Sequence, residues 1–422
     1  MSVLSRKYQI LFEQGIISLL NFALIFVLSK LISSTLFKDF FLGYSIVIII
    51  SLVISSFANQ PLQVFLKRGE NNKNYIFKIF FINLLLFLIV SLIVSIVVIN
   101  YYQFLVDDLI YIVILAFFTS IYDFIRRLSF VYFQDSFTSN LLSSFSILLF
   151  FFTTLIYYYS IDNISLSTVY ITLIISYLLG IFIFIVLKKN KIKYIFNLKA
   201  KSIQLSFYEI LKKHSNYAIW LVIGILFFWL YSQGVYFLAE KYLIVKDFNA
   251  VRISQNLVGV LSVFFVTFEN IMLVKLALVF DGEDFQGINE YVQKTLKKLL
   301  LPFIGVLIVT AVIMTFLFKL YYHDNLFYSD KAVYLLYFFV YQFFFGISRV
   351  FVVALKAVNA TRYILFSHAF TAIFAVLLSV ILLPKFSNGH TLALIMINSI
   401  FLFSIGVYMY YRKIMIKSNH IE

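Results

Sequence analysis

The chain has 422 residues, of which 63% are hydrophobic and 13% charged, with a formal net charge of +15. A soluble globular domain sits nearer about 45–50% apolar and about 25% charged, so a water-soluble domain, a disordered chain and a fibrous protein are excluded. Cysteine is absent, which removes disulfides, thiolate metal sites and a cysteine nucleophile. Abundant Phe, Ile, Tyr, Lys and Asn with scarce Pro fit an AT-rich coding sequence and a bacterial source.

Apolar runs broken by charge and Asn place twelve helices at 9–30, 40–60, 76–100, 108–132, 141–160, 167–187, 214–238, 250–275, 296–318, 331–355, 362–383 and 390–411. The runs are too long for barrel strands, and a helix satisfies its own backbone in lipid. The first run lacks a small-residue cleavage site, so it is expected to be a span and not a signal peptide.

Lys and Arg cluster at one set of ends, from Arg6, Lys7, Lys67, Arg68, Arg126 and Arg127 to Lys356, Arg362, Arg412 and Lys413. The opposite ends include Asp107, Asp108 and Asp162. This bias predicts a multi-pass protein of the bacterial cytoplasmic (inner) membrane with both termini in the cytoplasm. The basic ends suit anionic lipid headgroups. With no soluble domain to carry a binding surface, nucleic acid is not an expected partner.

Segment 188–213 is the largest polar stretch. It divides an N-terminal six-helix lobe, 1–187, from a C-terminal six-helix lobe, 214–422. Within it Ile203, Phe207, Ile210 and Leu211 fall at i, i+4, i+7 and i+8. They suit a short helix on the inner membrane surface, or a plain connector. The halves show weak self-similarity. Lys38-Asp39-Phe40 before helix 2 matches Lys246-Asp247-Phe248 before helix 8, and Arg127 in helix 4 parallels Arg349 in helix 10. A parallel 6+6 repeat is typical of transporters, with the substrate path between the halves.

Ionisable residues inside spans are costly and usually face a cavity or a partner. Helix 8 carries Arg252, Gln255, Asn256, Glu269 and Asn270 at helical spacing. Helix 10 carries Gln342, Arg349 and Lys356, and helix 1 carries Gln14, Ser18 and Asn21 beside Glu13. In helix 4, Asp123 and Arg127 stand at i and i+4, so they either neutralise each other or line a cavity. Arg252 either snorkels to the surface or faces inward. Glu13 and Glu269 lie near cytoplasmic ends, and His368 in helix 11 reads as a packing residue or as a proton relay. Deep Arg in both halves would make a cationic cavity. Guanidinium holds phosphate through paired donors and keeps its charge, so an anionic headgroup suits such a cavity and a cationic drug does not. No P-loop, HExxH or GxSxG motif occurs, and no large extramembrane loop carries clustered carboxylates, so an enzyme is not expected.

The segment EQGIISLLNFALIFVLSKLISSTLFKDFFLGYSIVIIIS resembles the first two helices of polysaccharide-transport proteins in the multidrug/oligosaccharidyl-lipid/polysaccharide (MOP) exporter superfamily. Gln14, Gly15, Asn21, Phe40, Gly43 and Tyr44 carry the resemblance. At helix 8, FNAVRISQNLVGVLS adds Phe248, Ala250 and Arg252. The resemblance implies an all-α, MATE-like V-shaped bundle of about twelve helices in two lobes. It also implies a flippase that moves undecaprenyl-pyrophosphate-linked repeat units of O-antigen, capsule or other exopolysaccharide to the periplasmic leaflet by alternating access. Polymerase and chain-length machinery would be partners. In that reading Arg252, Arg349, Arg127 and Lys356 bind the anionic head, and Gln14, Asn21, Gln255 and Asn256 hydrogen-bond sugar hydroxyls. Coupling to H+ or Na+ would fall to Glu13, Asp123 or Glu269, with no other cofactor. The rivals are a multidrug/cation antiporter of the same superfamily and a lipid II flippase.

Overall fold

The computed structural model describes residues 3–65, 73–129, 137–160, 164–196, 206–280, 285–322, 329–358 and 360–418. Among these residues the secondary structure is helical, and no strand occurs. Twelve long helical bodies follow one another: α1 Val3–Leu31, α2 34–65, α3 Lys73–Tyr101, α4 Leu109–Leu128, α5 Phe137–Ser160 and α6 Leu166–Leu187. Then come α7 207–239, α8 245–280, α9 Phe285–Tyr321, α10 Val333–Ala357, α11 Thr361–Leu382 and α12 Gly389–Ser418. Among the described residues, ten helices are long and apolar enough to cross a membrane. The other two bodies are α1 and α8. The described apolar part of α1 is short, and α8 is interrupted at a turn after Gly259.

The expected helices are all present, with edges that differ for local reasons. The α2 helix begins at Ser34 because the Ser33 hydroxyl caps it, accepting from the Leu36 amide at 3.4 Å. The α9 helix starts well before the apolar run, at Phe285. Its first turns are polar outside but bury Ile288 and Val292, and Tyr411 donates to Asn289 at 2.8 Å. The connector differs more. It holds a short basic helix, Lys189–Phe196, and α7 already runs from Phe207. Ile210 does not lie on a membrane surface: it is buried among Ala58, Leu62, Tyr75 and Ile76. Ile203 lies outside the described residues.

The chain divides into two compact units, residues 1–21 with 30–226 and residues 22–29 with 227–422. In the first, α2 packs on α4, α4 on α6, and α5 on α6. In the second, α8 packs on α10, α10 on α12, and α11 on α12. The two packing orders are the same, helix for helix. The matched Lys-Asp-Phe motifs also play comparable roles. In the first unit Lys38 sits 5.5 Å from the Phe104 ring ahead of α4, and Tyr170 of α6 donates to the Phe40 carbonyl at 3.3 Å. In the second, Lys246 pairs with Asp330 ahead of α10 at 3.3 Å. Asp247 accepts from the Gly389 amide at the start of α12 at 3.2 Å and pairs with Lys331 at 2.9 Å. Each motif therefore ties the start of one helix to the loop before a second and the start of a third.

Among the described residues, wide π turns interrupt the regular helices at Ser55–Asn59 in α2 and at Leu230–Gly234 in α7. A π turn inserts a residue into the helix, which locally re-aims side chains and frees a carbonyl.

Candidate functional site

Among the described residues, charged side chains gather at several places within the apolar helices, and three of them bear on the site. The first joins α2 and α4. Arg127 Nε donates to both carboxylate oxygens of Asp123, at 3.0 and 2.9 Å, and Arg126 Nη2 donates to Oδ1 at 3.2 Å. Asn59, at the end of the π turn, donates to Asp123 Oδ2 at 3.0 Å. The i, i+4 spacing predicts the Asp123–Arg127 pair. Asn59 is a partner that spacing within α4 does not reveal, since it comes from another helix.

The second cluster joins α8 and α10. Lys356 donates to Glu269 Oε1, and Arg349 Nη1 lies 3.7 Å from Glu269 Oε2. Arg349 also stacks on Phe345, one turn earlier, with its guanidinium carbon 4.0 Å from the ring centroid. Two cations therefore share one carboxylate in a site where the Arg349 and Glu269 side chains are 15% and 16% exposed. Arg349 Nε is buried and has no hydrogen-bond partner among the described residues. This cluster stands in the second unit where the Asn59–Asp123–Arg127 cluster stands in the first. Matching Lys38-Asp39 to Lys246-Asp247 carries Asn59 to within a turn of Glu269, which is the sequence signal for both.

The third cluster lies on the first half of α8. Arg252 is 5% exposed and donates to the Gln255 side-chain carbonyl, with its guanidinium 5.7 Å from the Tyr236 ring centroid. It faces inward and does not snorkel. Tyr236 donates to the same Gln255 oxygen at 3.0 Å, and Gln255 Nε2 reaches the Ser232 carbonyl in the π turn of α7 at 3.4 Å. Asn256 donates to the Phe22 carbonyl at 3.3 Å.

The structure thus brings Arg349, Lys356 and Glu269 together, Arg252 with Gln255, and Asp123 with Arg127. Asn21 is exposed and accepts from Tyr44 at 3.1 Å. The side chains of Glu13 and Gln14 lie outside the described residues. His368 packs between aromatic rings, stacked 4.2 Å from Phe403, with Nδ1 3.1 Å from the Tyr231 hydroxyl. No group of three or more His, Cys, Asp or Glu able to hold a metal ion occurs among the described residues.

The helix order and the doubled packing scheme define the fold. No family model matches the chain, and no curated protein sequence matches it. Solved structures of the MOP superfamily do. An inward-facing multidrug-resistance MATE family transporter matches with a TM-score of 0.67 over 94% of each chain, at 10% identity. The lipid II flippase MurJ, in an inward closed conformation, matches with a TM-score of 0.62 over 97% of this chain and 88% of its own, at 15% identity. A MOP superfamily transporter from Pyrococcus furiosus, reported for a reversed polarity of its binding pocket that suggests a different function, matches with a TM-score of 0.64 over 97% and 94%, at 10% identity. At these identities the likeness is one of fold. The chain has the all-helical MOP fold.

Proposed function

We propose that this protein flips a lipid-linked, anionic oligosaccharide, with an undecaprenyl-pyrophosphate-linked repeat unit of O-antigen, capsule or other exopolysaccharide as cargo. The carrying observation is the Glu269–Arg349–Lys356 cluster, in which two cations share one carboxylate and the Arg349 Nε donor is buried and unmatched among the described residues. A buried donor favours a partner that supplies acceptor oxygens. Phosphate does so with matched charge, and a fixed guanidinium fork suits it better than a mobile ammonium does. Arg252, with Gln255 beside it, adds a second cationic position on α8, and Arg127 a third on α4. Gln14, Asn21, Gln255 and Asn256 would serve sugar hydroxyls.

For the Pyrococcus furiosus transporter, a reversed polarity of the binding pocket is reported to suggest a different function. Charge sign is therefore what argues against a multidrug/cation antiporter here. The neighbour described as a lipid II flippase supports a second reading, with lipid II as cargo. Transport would run by alternating exposure of the headgroup to the two sides of the bacterial inner membrane, without chemical change to the cargo. Coupling to H+ or Na+ would act through Glu13, Asp123 or Glu269.

The test is a deletion strain whose lipids are extracted and assayed for undecaprenyl-pyrophosphate-linked repeat units alongside surface glycan. Accumulated intermediates with surface glycan lost support the proposal. Loss of viability with accumulated lipid II selects the second reading. Normal glycan with drug sensitivity selects the antiporter. Export left intact by Arg252→Ala with Arg349→Ala at normal membrane abundance overturns the cationic-site assignment.

A further inference from the structure

An apolar groove of about 250 Å³ lies between α8, α9 and α10 of the second unit. Phe265 and Phe268 of α8 form one wall, and Leu300, Phe303 and Val306 of α9 form the other. The Phe265 and Phe303 rings close directly on Gly346 of α10, where a Cβ would lie 2.6 Å from both. Any larger residue there would displace those rings and reshape the groove walls. Pro302 lies within α9 at the same level, removing one backbone N–H from the helix ladder. Among the described residues its lining has no polar side chain. Water needs two to four polar partners, roughly, to be held in such a space, so the occupant is hydrocarbon.

Three further observations specify that hydrocarbon. Leu300 at the rim is 41% exposed and Phe264 is 64% exposed, so the groove opens sideways, towards lipid. Along α9 it runs from Leu296 to Val306, a rise of about 15 Å at 1.5 Å per residue. That is half of the hydrocarbon thickness of a bilayer, about 30 Å, and so the depth of one leaflet. At its lower end α9 exposes Lys294, Lys297 and Lys298, and α8 exposes Lys275. The nearest described carboxylate on α9, Glu290, lies a turn beyond them.

We infer that this groove binds an anionic phospholipid of the leaflet on the basic side. One acyl chain lies along Leu300, Phe303 and Val306 of α9, and the headgroup phosphate sits among Lys275, Lys294, Lys297 and Lys298. None of the groove's lining residues belongs to the Glu269–Arg349–Lys356 cluster. The bound lipid is therefore a resident of the bilayer that props α8 against α9 and α10, and is distinct from the transported cargo.

The test uses the full chain in phosphatidylcholine vesicles doped with phosphatidylglycerol that carries a diazirine on one acyl chain. After irradiation, label should concentrate on peptides spanning residues 264–268 and 296–306. The same diazirine on phosphatidylcholine should label them about fivefold less, and each of Lys294, Lys297 and Lys298 changed to Ala should weaken phosphatidylglycerol labelling by up to about fivefold. Leu300→Trp, at the exposed rim, should block labelling there while labelling of α3 stays unchanged. Equal labelling by the two lipids, even spread over all lipid-facing helices, or full retention of label in the lysine variants overturns the inference. Displacement of the label by undecaprenyl phosphate also overturns it, because the groove would then belong to an isoprenoid tail.

Discussion

The Tyr75 hydroxyl lies 2.8 Å from Nε2 of His214, and Nδ1 of the same ring lies 3.1 Å from the Phe57 carbonyl oxygen. A carbonyl only accepts, so Nδ1 carries a proton, and in the neutral ring Nε2 accepts from Tyr75. Phe57 lies within the π turn of α2, and His214 is fully buried. The contact pins the start of α7 to α2 and α3. Tyr75→Phe strands a buried acceptor and should cost about 1–3 kcal/mol. The check is the denaturation midpoint of purified protein in detergent. An unchanged midpoint would mean that the buried nitrogen finds another donor.

Glu269 is the shared counter-ion of Arg349 and Lys356. Glu269→Gln leaves two cations facing each other in low dielectric. Breaking a buried pair by removing one partner costs about 3–5 kcal/mol, and partial exposure places this change near the lower end. The double variant Glu269→Gln with Lys356→Met should recover most of the folded yield but not transport, since it also removes a cation from the site. Size-exclusion yield and a transport assay separate the two effects. Full transport by the double variant would remove Lys356 from cargo binding.

Gly43 lets α2 approach α6. A Cβ at this position would lie 2.1 Å from the Tyr170 hydroxyl oxygen and 2.9 Å from Ile112 Cδ1. Tyr170 is fully buried and bonded to the Phe40 carbonyl, so it has nowhere to move. Gly43→Ala should destabilise by about 1–3 kcal/mol through overpacking. Adding Tyr170→Phe, which deletes the crowded oxygen, should return part of that loss. Melting temperatures of the two variants decide it, and equal values would place the strain at Ile112.

Asp108 precedes α4, outside the span. Burial, and then the neighbouring Asp107 carboxylate, push its carboxyl up from the ordinary value. The native state therefore holds this proton more tightly than the unfolded state does. Its contribution to stability is present below the unfolded value, about 3.9, and is lost as pH rises through the raised native value. Asp108→Asn should remove this dependence and raise relative stability at neutral pH. Melting temperature followed across the acid range in both proteins tests the sign. A wild-type curve that rises with pH where the variant is flat would reverse it.

Arg252 donates to Gln255 through Nη1, and its planar guanidinium lies over Tyr236. Arg252→Lys keeps the charge but loses that geometry. It should fold normally and lower export by about tenfold, equivalent to about 1.4 kcal/mol. Arg252→Gln should lower it further. Identical export by the Lys and Gln variants would show that charge at this position is not used.

Much of the architecture was legible in the residues. Each span must satisfy its own backbone, so runs of apolar residues and their charged breaks mark twelve helices without reference to packing. The repeated Lys-Asp-Phe and Arg127/Arg349 positions anticipated a doubled unit, and the matching helix order within each unit agrees with it. The Asp123–Arg127 pair was readable because i and i+4 are neighbours on any helix.

What the sequence determined by itself is therefore local: helix number, length, approximate limits and pairs one turn apart. Only the tertiary structure decided that Glu269 meets Arg349 and Lys356, that Asn59 reaches Asp123, that His214 bonds Phe57 and Tyr75, and that Phe265 and Phe303 close on Gly346. The helix limits shifted where a cap, an amphipathic turn or a buried contact such as Ile210 added its own energy. The physical reason is common to all of these. Helix formation depends on neighbours in the chain, whereas the pairing of buried polar groups depends on which helix faces come together, and that is settled by packing across scores of residues.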